Sequence, residues 1–157
     1  MNFDYIDTPI GGLDIYASNF GVTKVVFSSS PTVRITNGNE ITHCCKKQLD
    51  EYFKGKRKVF DLPLDQGGTD FQKSVWNCLL TIPFGESVSY KDIAIMIKNP
   101  KSVRAVGAAN GRNPIGLIVP CHRVIGRNQN LTGYAGGLDR KAWLLKHEGI
   151  VFESTGK

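Results

Sequence analysis

The sequence predicts two domains: a small antiparallel β-sheet with one helix packed on it, then a mainly helical domain that contains a helix-turn-helix. Three short apolar segments separated by turn residues precede the first helical pattern. Two short helices with N-terminal capping signals follow further along and are joined by a tight turn. Flexible glycines at 67–68 coincide with a change in charge balance, so we place the domains at residues 1–66 and 67–157.

The first domain is predicted from its alternating and helical apolar patterns. Residues 3–6, 13–17 and 22–27 read as strands of an antiparallel meander. From Glu40 the apolar residues fall at helical steps, and Gly55 ends that helix. Residues 59–62 are expected to add a further strand.

The second domain is predicted to begin with a helix that Thr69 and Gln72 open as a capping box. Ser89 and Asp92 form a second capping box, and Ser102 is expected to cap a helix over 103–110. That helix is rich in very small residues. Such small side chains allow the helix backbone to approach another surface closely. That surface is either a neighbouring helix or a ligand.

The positive charge of the chain is concentrated in the second domain. Residues 1–68 hold eight basic and eight acidic residues, whereas residues 69–157 hold twelve and six. This asymmetry indicates a polyanionic partner, with nucleic acid the first candidate.

A cysteine followed by a histidine is the strongest chemical signal in the chain. Residues 115–119 are predicted to form a strand that Pro120 ends, which would place Cys121 at an accessible strand end. Neighbouring side chains of a strand point to opposite faces, so His122 would act on the thiol either after a bend or through a water. Glu148 is the best candidate to orient the imidazole. The competing interpretation is that Cys121 is a small buried hydrophobic residue and that Glu148 is a solvated helix end.

Several classes of protein are disfavoured by composition. No apolar run approaches the roughly 18 residues of a membrane span, and the N-terminus lacks the pattern of a signal peptide, so we expect a cytoplasmic protein. The four cysteines have the spacing of neither a disulfide framework nor a zinc site. We therefore expect no metal.

Six short motifs together resemble the 6-O-alkylguanine-DNA alkyltransferase family, also called methylated-DNA–protein-cysteine methyltransferases. They occur in the family's order over most of residues 70–150, namely at 82–85 with 89–90, at 104–107, at 113–114, at 120–124, at 134–137 and at 147–149. The resemblance implies a ribonuclease-H-like α/β domain followed by a winged helix-turn-helix domain. It also implies one irreversible transfer of an alkyl group from the 6-oxygen of guanine, or from the 4-oxygen of thymine, to the protein, without a cofactor. The partner would be double-stranded DNA containing alkylated guanine, bound by a monomer.

The same resemblance assigns roles to individual residues. Cys121 would be the nucleophile, with His122 as its base through a water and Glu148 orienting the imidazole. Tyr90 would donate to the purine ring, and Asn113 would brace the turn before the active site. The residues implied to bind the substrate are Val124, Tyr134, Ala135 and Gly136. Arg104 would fill the space left by the flipped nucleotide, and the other residues implied to contact DNA in the minor groove are Ser102, Ala105, Gly107, Ala108, Tyr90 and Arg123.

Two departures and three alternatives accompany this hypothesis. Ala135 stands where some family members have serine, and Asn110 stands where some have an apolar residue on the DNA-facing helix. A lesion binder without activity is disfavoured because Cys121 is present. A major-groove transcription regulator fits the small-residue helix poorly, and a cysteine hydrolase would need an oxyanion hole.

Overall fold

The computed structural model describes residues 1–29, 35–126 and 130–153, which form two compact units, Met1–Gly67 and Gly68–Lys157. The first unit holds a three-stranded antiparallel sheet of order β1-β2-β3 and one helix. The strands are β1 (Asn2–Thr8), β2 (Gly11–Ala17) and β3 (Val22–Phe27), and the helix is α1 (Glu40–Phe53). The expected α/β fold of this unit is confirmed.

Helix α1 covers the sheet with an apolar face that includes the fully buried Leu49 and Tyr52. Asn39 begins the helix: its side chain accepts a hydrogen bond from the Thr42 amide, and Thr42 bonds back to the Asn39 amide. The prediction of a strand over residues 59–62 is wrong. The Gln48 side chain bonds both the amide and the carbonyl of Asp61, at 2.8 and 3.0 Å, so a helix side chain takes the backbone groups that a sheet ladder would use.

The second unit consists mainly of helices, as predicted. Its elements are α2 (Asp70–Leu79), β4 (Val88–Ser89), α3 (Tyr90–Met96), α4 (Val103–Gly111), a 3₁₀ turn (Cys121–Arg123), β5 (Val124–Ile125) and α5 (Leu138–His147). Strands β4 and β5 pair in parallel, with Val88 opposite Val124. The capping boxes at Thr69 and Ser89 form as expected.

Two helix ends differ from the predictions. The Ser102 side chain does not cap α4; its hydroxyl donates instead to the Asn99 carbonyl at 2.6 Å. Gly111 lies within α4 rather than beyond it, and Arg112 is the residue that follows the last turn. The core beneath these helices contains Trp76, whose indole N–H donates to the Ala109 carbonyl at 2.8 Å and ties α2 to α4.

Residues 115–119 form a compact turn instead of the predicted strand. The amide of Val119 bonds the Ile115 carbonyl at 3.0 Å, and the amide of Ile118 bonds the Gly116 carbonyl at 2.7 Å, so these groups are unavailable to a sheet. Leu117, which is buried, has a φ of 66°. A left-handed conformation at a bulky residue is uncommon and is held only where surrounding contacts enforce it.

Within the described ranges, no helix has both the length and the apolar character that crossing a membrane requires.

Candidate active site

Cys121 begins the 3₁₀ turn that follows the 115–119 turn, and it is only 6% exposed. The accessible strand end predicted for it is therefore wrong, because the chain turns twice in this region. Burial raises the pKa of the thiol, although a hydrogen bond from the Asn113 side chain and the charge of Lys141 act in the opposite direction. An unaided thiol would therefore be protonated at neutral pH.

Asn113 braces the turn that leads to the cysteine. Its amide nitrogen donates to the carbonyls of Val119 at 2.8 Å and Ile115 at 3.3 Å, and its amide oxygen accepts from the Ile115 N–H at 3.0 Å. One side chain thus closes a turn of seven residues and also contacts the thiol. These bonds hold the turn closed although Leu117 within it has a strained, left-handed backbone. They thereby fix the position of Cys121, which follows the turn.

His122 and Glu148 form the pair that the sequence predicted. The imidazole Nε2 lies 2.7 Å from Glu148 Oε2, and both side chains are fully buried. Burial lowers the pKa of His122 and outweighs the hydrogen bond to Glu148, so the imidazole is neutral. A carboxylate can only accept here, so Nε2 carries the proton and Nδ1 is left as an acceptor.

Arg123 completes a buried ion-pair network around Glu148. Its Nε donates to Glu148 Oε1 at 2.7 Å and its Nη2 to Oε2 at 3.1 Å, while Nη1 donates to the Ile82 carbonyl at 2.7 Å. Burial by itself would raise the pKa of Glu148, but the hydrogen bonds and charges of His122 and Arg123 hold it well below its usual range. Arg123 is 5% exposed, so the structure does not place it on the DNA-facing surface implied for it.

Lys141 was not singled out from the sequence, yet it is fully buried beside the site. Its ammonium donates to the carbonyls of Val124 at 2.6 Å, Thr132 at 2.7 Å and Gly133 at 3.4 Å. Burial lowers the pKa of Lys141 to about 8, while the neighbouring Cys121 raises it. The sequence did contain an indication of this position, because residues 141, 144, 145 and 148 are spaced to lie on one face of α5 and its C-terminal cap.

A pocket of about 320 Å³, within the size range of small-molecule sites, is lined in part by Asn110, whose side chain bonds the Cys121 carbonyl. Four of the predicted site residues line it, namely Tyr90, Gly107, Tyr134 and Ala135. The Tyr90 hydroxyl lies 3.0 Å from Thr132 Oγ1. Burial and the proximity of Cys121 raise the pKa of Tyr134 well above its ordinary value, so its phenol stays protonated and can donate.

The remaining predicted substrate residues, Val124 and Gly136, lie outside the lining of this pocket. The Val124 carbonyl already accepts from Lys141, which leaves one lone pair for another donor. The Gly136 carbonyl accepts a hydrogen bond from the Arg140 side chain at 3.3 Å. The pocket lining also includes Asn110, whose amide nitrogen donates to the Cys121 carbonyl at 3.4 Å.

The outward face of α4 carries the residues predicted to contact DNA. Arg104, Ala105 and Ala108 are exposed, and Gly107 is half-buried. A Cβ added to Gly107 would meet only Tyr90, at an ordinary distance of 3.9 Å, so the glycine is not required by helix packing. This observation favours the ligand explanation of the small residues over the packing explanation.

Comparison with known proteins identifies the family. Residues 70–150 match the model of the DNA-binding domain of 6-O-methylguanine DNA methyltransferase, and residues 1–66 match the model of its ribonuclease-like domain. The chain belongs to the 6-O-methylguanine DNA methyltransferase family. The resemblance predicted from the sequence motifs is confirmed.

Individual relatives match this family member over nearly their whole length. A methylated-DNA–protein-cysteine methyltransferase of Methanosarcina mazei is 62% identical over 153 residues, covering 94% of this chain and 97% of the relative. The constitutive enzyme of the same name from Bacillus subtilis is 47% identical over 156 residues, covering 94% of each. The crystal structure of Mycobacterium tuberculosis OGT in complex with DNA superposes with a TM-score of 0.86 at 45% identity, covering 94% of this chain and 92% of that one.

The described part of the chain contains no recognisable metal centre. Among the described residues, no three histidine, cysteine, aspartate or glutamate side chains are grouped so that they could hold a metal ion.

Proposed function

We propose that this protein repairs DNA by transferring a methyl or other alkyl group from the 6-oxygen of guanine to Cys121, in a single irreversible turnover. Membership of the 6-O-methylguanine DNA methyltransferase family supports the reaction class. The observation that carries the assignment to Cys121 is its position next to a buried His122–Glu148–Arg123 network, with its carbonyl bonded to Asn110 of the pocket lining. We extend the proposal to the 4-oxygen of alkylated thymine.

The thiol is activated by loss of its proton toward His122. Neutral His122 holds its proton on Nε2 against Glu148, so Nδ1 can receive one, and a water relays it from the sulfur. Glu148, kept ionised by Arg123, stabilises the imidazolium that results. The Lys141 ammonium adds an attractive charge near the thiolate.

The thiolate then displaces guanine from the alkyl carbon. A carbon–sulfur bond forms as the carbon–oxygen bond breaks, and its electron pair passes into the purine ring. Tyr90 donates to that ring as negative charge develops, the Ala135 amide meets the guanine oxygen, and the carbonyls of Cys121 and Val124 recognise the exocyclic amine. Tyr134 lines the base pocket, together with the backbone of Gly136. The product is a thioether, and no second step regenerates the thiol.

The lesion reaches the pocket by flipping out of the duplex, because an atom inside stacked DNA cannot be approached by a side chain. Helix α4 enters the minor groove with its exposed face of Ser102, Ala105, Gly107 and Ala108, and Arg104 fills the vacated position. The excess positive charge of residues 69–157 supports binding of the phosphate backbone.

We further propose that residues 67–157 carry the DNA-binding and acceptor activities and that residues 1–66 support them. The protein acts in the cytoplasm as a monomer, and it needs neither a cofactor nor a membrane.

A mass measurement tests this function. Incubation with a duplex containing methylated guanine is expected to increase the mass of the intact protein by one methyl group, and peptide mapping should locate it on Cys121. A Cys121→Ser variant should gain nothing, whereas Cys78→Ser should react as the unmodified chain does. Tight binding of the lesion without any gain in mass would instead identify a non-catalytic lesion binder.

A further inference from the structure

Two buried acceptors beside Cys121 have no hydrogen-bond partner within the described ranges. They are Nδ1 of His122 and Oδ1 of Asn110. His122 follows the cysteine in the chain, and Asn110 is bonded to the cysteine carbonyl. Burying an acceptor without a donor is costly, and such atoms in native proteins are usually paired with ordered water.

The orientation of the Asn110 amide is fixed by its other contact. Its Nδ2 donates to the Cys121 carbonyl at 3.4 Å, and reversing the amide would place two acceptor oxygens against each other. The oxygen must therefore point away from that carbonyl. Asn110 is only 5% exposed, so its side chain has few alternative positions.

We propose that Asn110 is a positioning residue that orients the water relaying the proton from Cys121 to His122. This inference rests on the proposed function and adds to it a residue outside the predicted catalytic set. The water donates one hydrogen to Nδ1 of His122 and the other to Oδ1 of Asn110. Its lone pair then faces the sulfur and accepts the thiol hydrogen.

The three partners satisfy what a buried water requires, which is about two to four polar contacts. In the transfer, the S–H bond breaks as an O–H bond forms on the water, and the water's other proton moves to Nδ1. The result is a thiolate, an imidazolium and an unchanged water. Without the Asn110 oxygen, the water can rotate and present a hydrogen to the sulfur, which blocks the transfer.

The titratable or charged side chains that face this site are Tyr90, Tyr134, Lys141, Arg123 and Glu148. They are the same in the variants and in the unmodified chain, so Lys141, whose pKa of about 8 lies within the tested range, titrates in all the proteins compared. None is altered when Asn110 is replaced.

A matched pair of variants, Asn110→Ala and Asn110→Ser, isolates the acceptor oxygen, because the two differ by one oxygen atom. Single-turnover methyl transfer from a saturating methylated duplex is measured from about pH 6 to about pH 10, a range over which the ionised fraction of a thiol rises steeply. At neutral pH the alanine variant is expected to be slower by about tenfold or more, part of the contribution typical of general-base catalysis. The serine variant should lose less. As the pH rises, the difference in rate between the alanine variant and the unmodified chain should narrow, because a growing fraction of the thiol ionises without the relay.

A purely structural role for Asn110 would give a different pattern. The loss in the alanine variant would then be the same at every pH, and this result, or no loss at all, would overturn the proposal. A serine variant as impaired as the alanine variant would also contradict it. If alanine prevents folding, Asn110→Leu, which fills a similar volume without an acceptor, takes its place with the same expectations.

A second measurement separates this inference from the proposed function. Alkylation of Cys121 by iodoacetamide, located by peptide mapping, reports thiolate formation in the absence of DNA. The alanine variant should require a higher pH than the unmodified chain for the same rate, by about one unit for a tenfold effect. Such a shift with no methyl transfer by the unmodified chain would support the relay and refute the repair function. Superimposable alkylation profiles would refute the relay.

Discussion

At the scale of single residues, Glu148 connects catalysis to stability. It accepts hydrogen bonds from the imidazole of His122, the guanidinium of Arg123 and the amide of Gly85, the last at 3.3 Å. Four donor atoms from three residues therefore satisfy one buried carboxylate. A buried charge is tolerated only with such pairing.

Stability should therefore fall in acid through Glu148. Its pKa is held below its ordinary value of 4.5 in the folded chain, so the unfolded chain binds the proton more readily. The stabilisation is present above about pH 4.5 and is lost as the pH falls toward the lower folded-state pKa. Urea denaturation at a series of pH values should show this decline, and a Glu148→Gln variant should show a smaller decline together with lower stability at neutral pH. An equal acid sensitivity in both proteins would contradict this account.

At the scale of elements, the sequence predicted what local interactions decide. The capping boxes of Thr69 with Gln72 and of Ser89 with Asp92 were recognisable because each involves residues three apart. The strand expected at 59–62 failed because Gln48, in another element, satisfies Asp61. The strand expected at 115–119 failed because side-chain bonds from Asn113 and a left-handed Leu117 are not visible in an apolar pattern.

For the site as well, the sequence predicted the residues but not the contacts that are made between distant parts of the chain. Cys121, His122 and Glu148 were recognised from residue types and motifs, and their relative geometry emerged from the fold. The family resemblance implied that Arg123 contacts DNA, whereas the structure buries it. Its burial depends on a partner 25 residues away in the sequence, which no local pattern shows.

Helix α4 carries a prediction that distinguishes base flipping from simple DNA binding. Arg104→Ala should slow methyl transfer from duplex DNA by at least about tenfold, the factor that corresponds to roughly 1.4 kcal/mol of barrier. Reaction with free methylated guanine should change little, because no base has to leave a stack. The measurement is a single-turnover rate at saturating substrate.

A matched control is available at the opposite end of the same helix. Arg112 is also exposed, immediately after α4, and Arg112→Ala removes the same charge without removing the proposed intercalating side chain. Its rate at saturating duplex should remain close to that of the unmodified chain. Equal losses for Arg104→Ala on duplex and on free base would refute the flipping role of Arg104.

At the scale of the whole molecule, the second unit combines a surface suited to DNA with a protected nucleophile. The exposed face of α4 carries small side chains and the basic Arg104, and Gly107 and Tyr134 border the pocket beside it. Cys121 is almost entirely buried, so its thiol is shielded from bulk solvent. This arrangement suits a thiol that is used once and has to be preserved until a lesion arrives.

The stoichiometry of the reaction tests this account most directly. With a large excess of methylated duplex, the amount of methyl group transferred should reach a plateau at one per protein molecule, all of it as a thioether on Cys121. Transfer that continues beyond one equivalent would show that the sulfur is regenerated, as in a hydrolase. That result, or a plateau with the methyl group on another residue, would contradict the central claim.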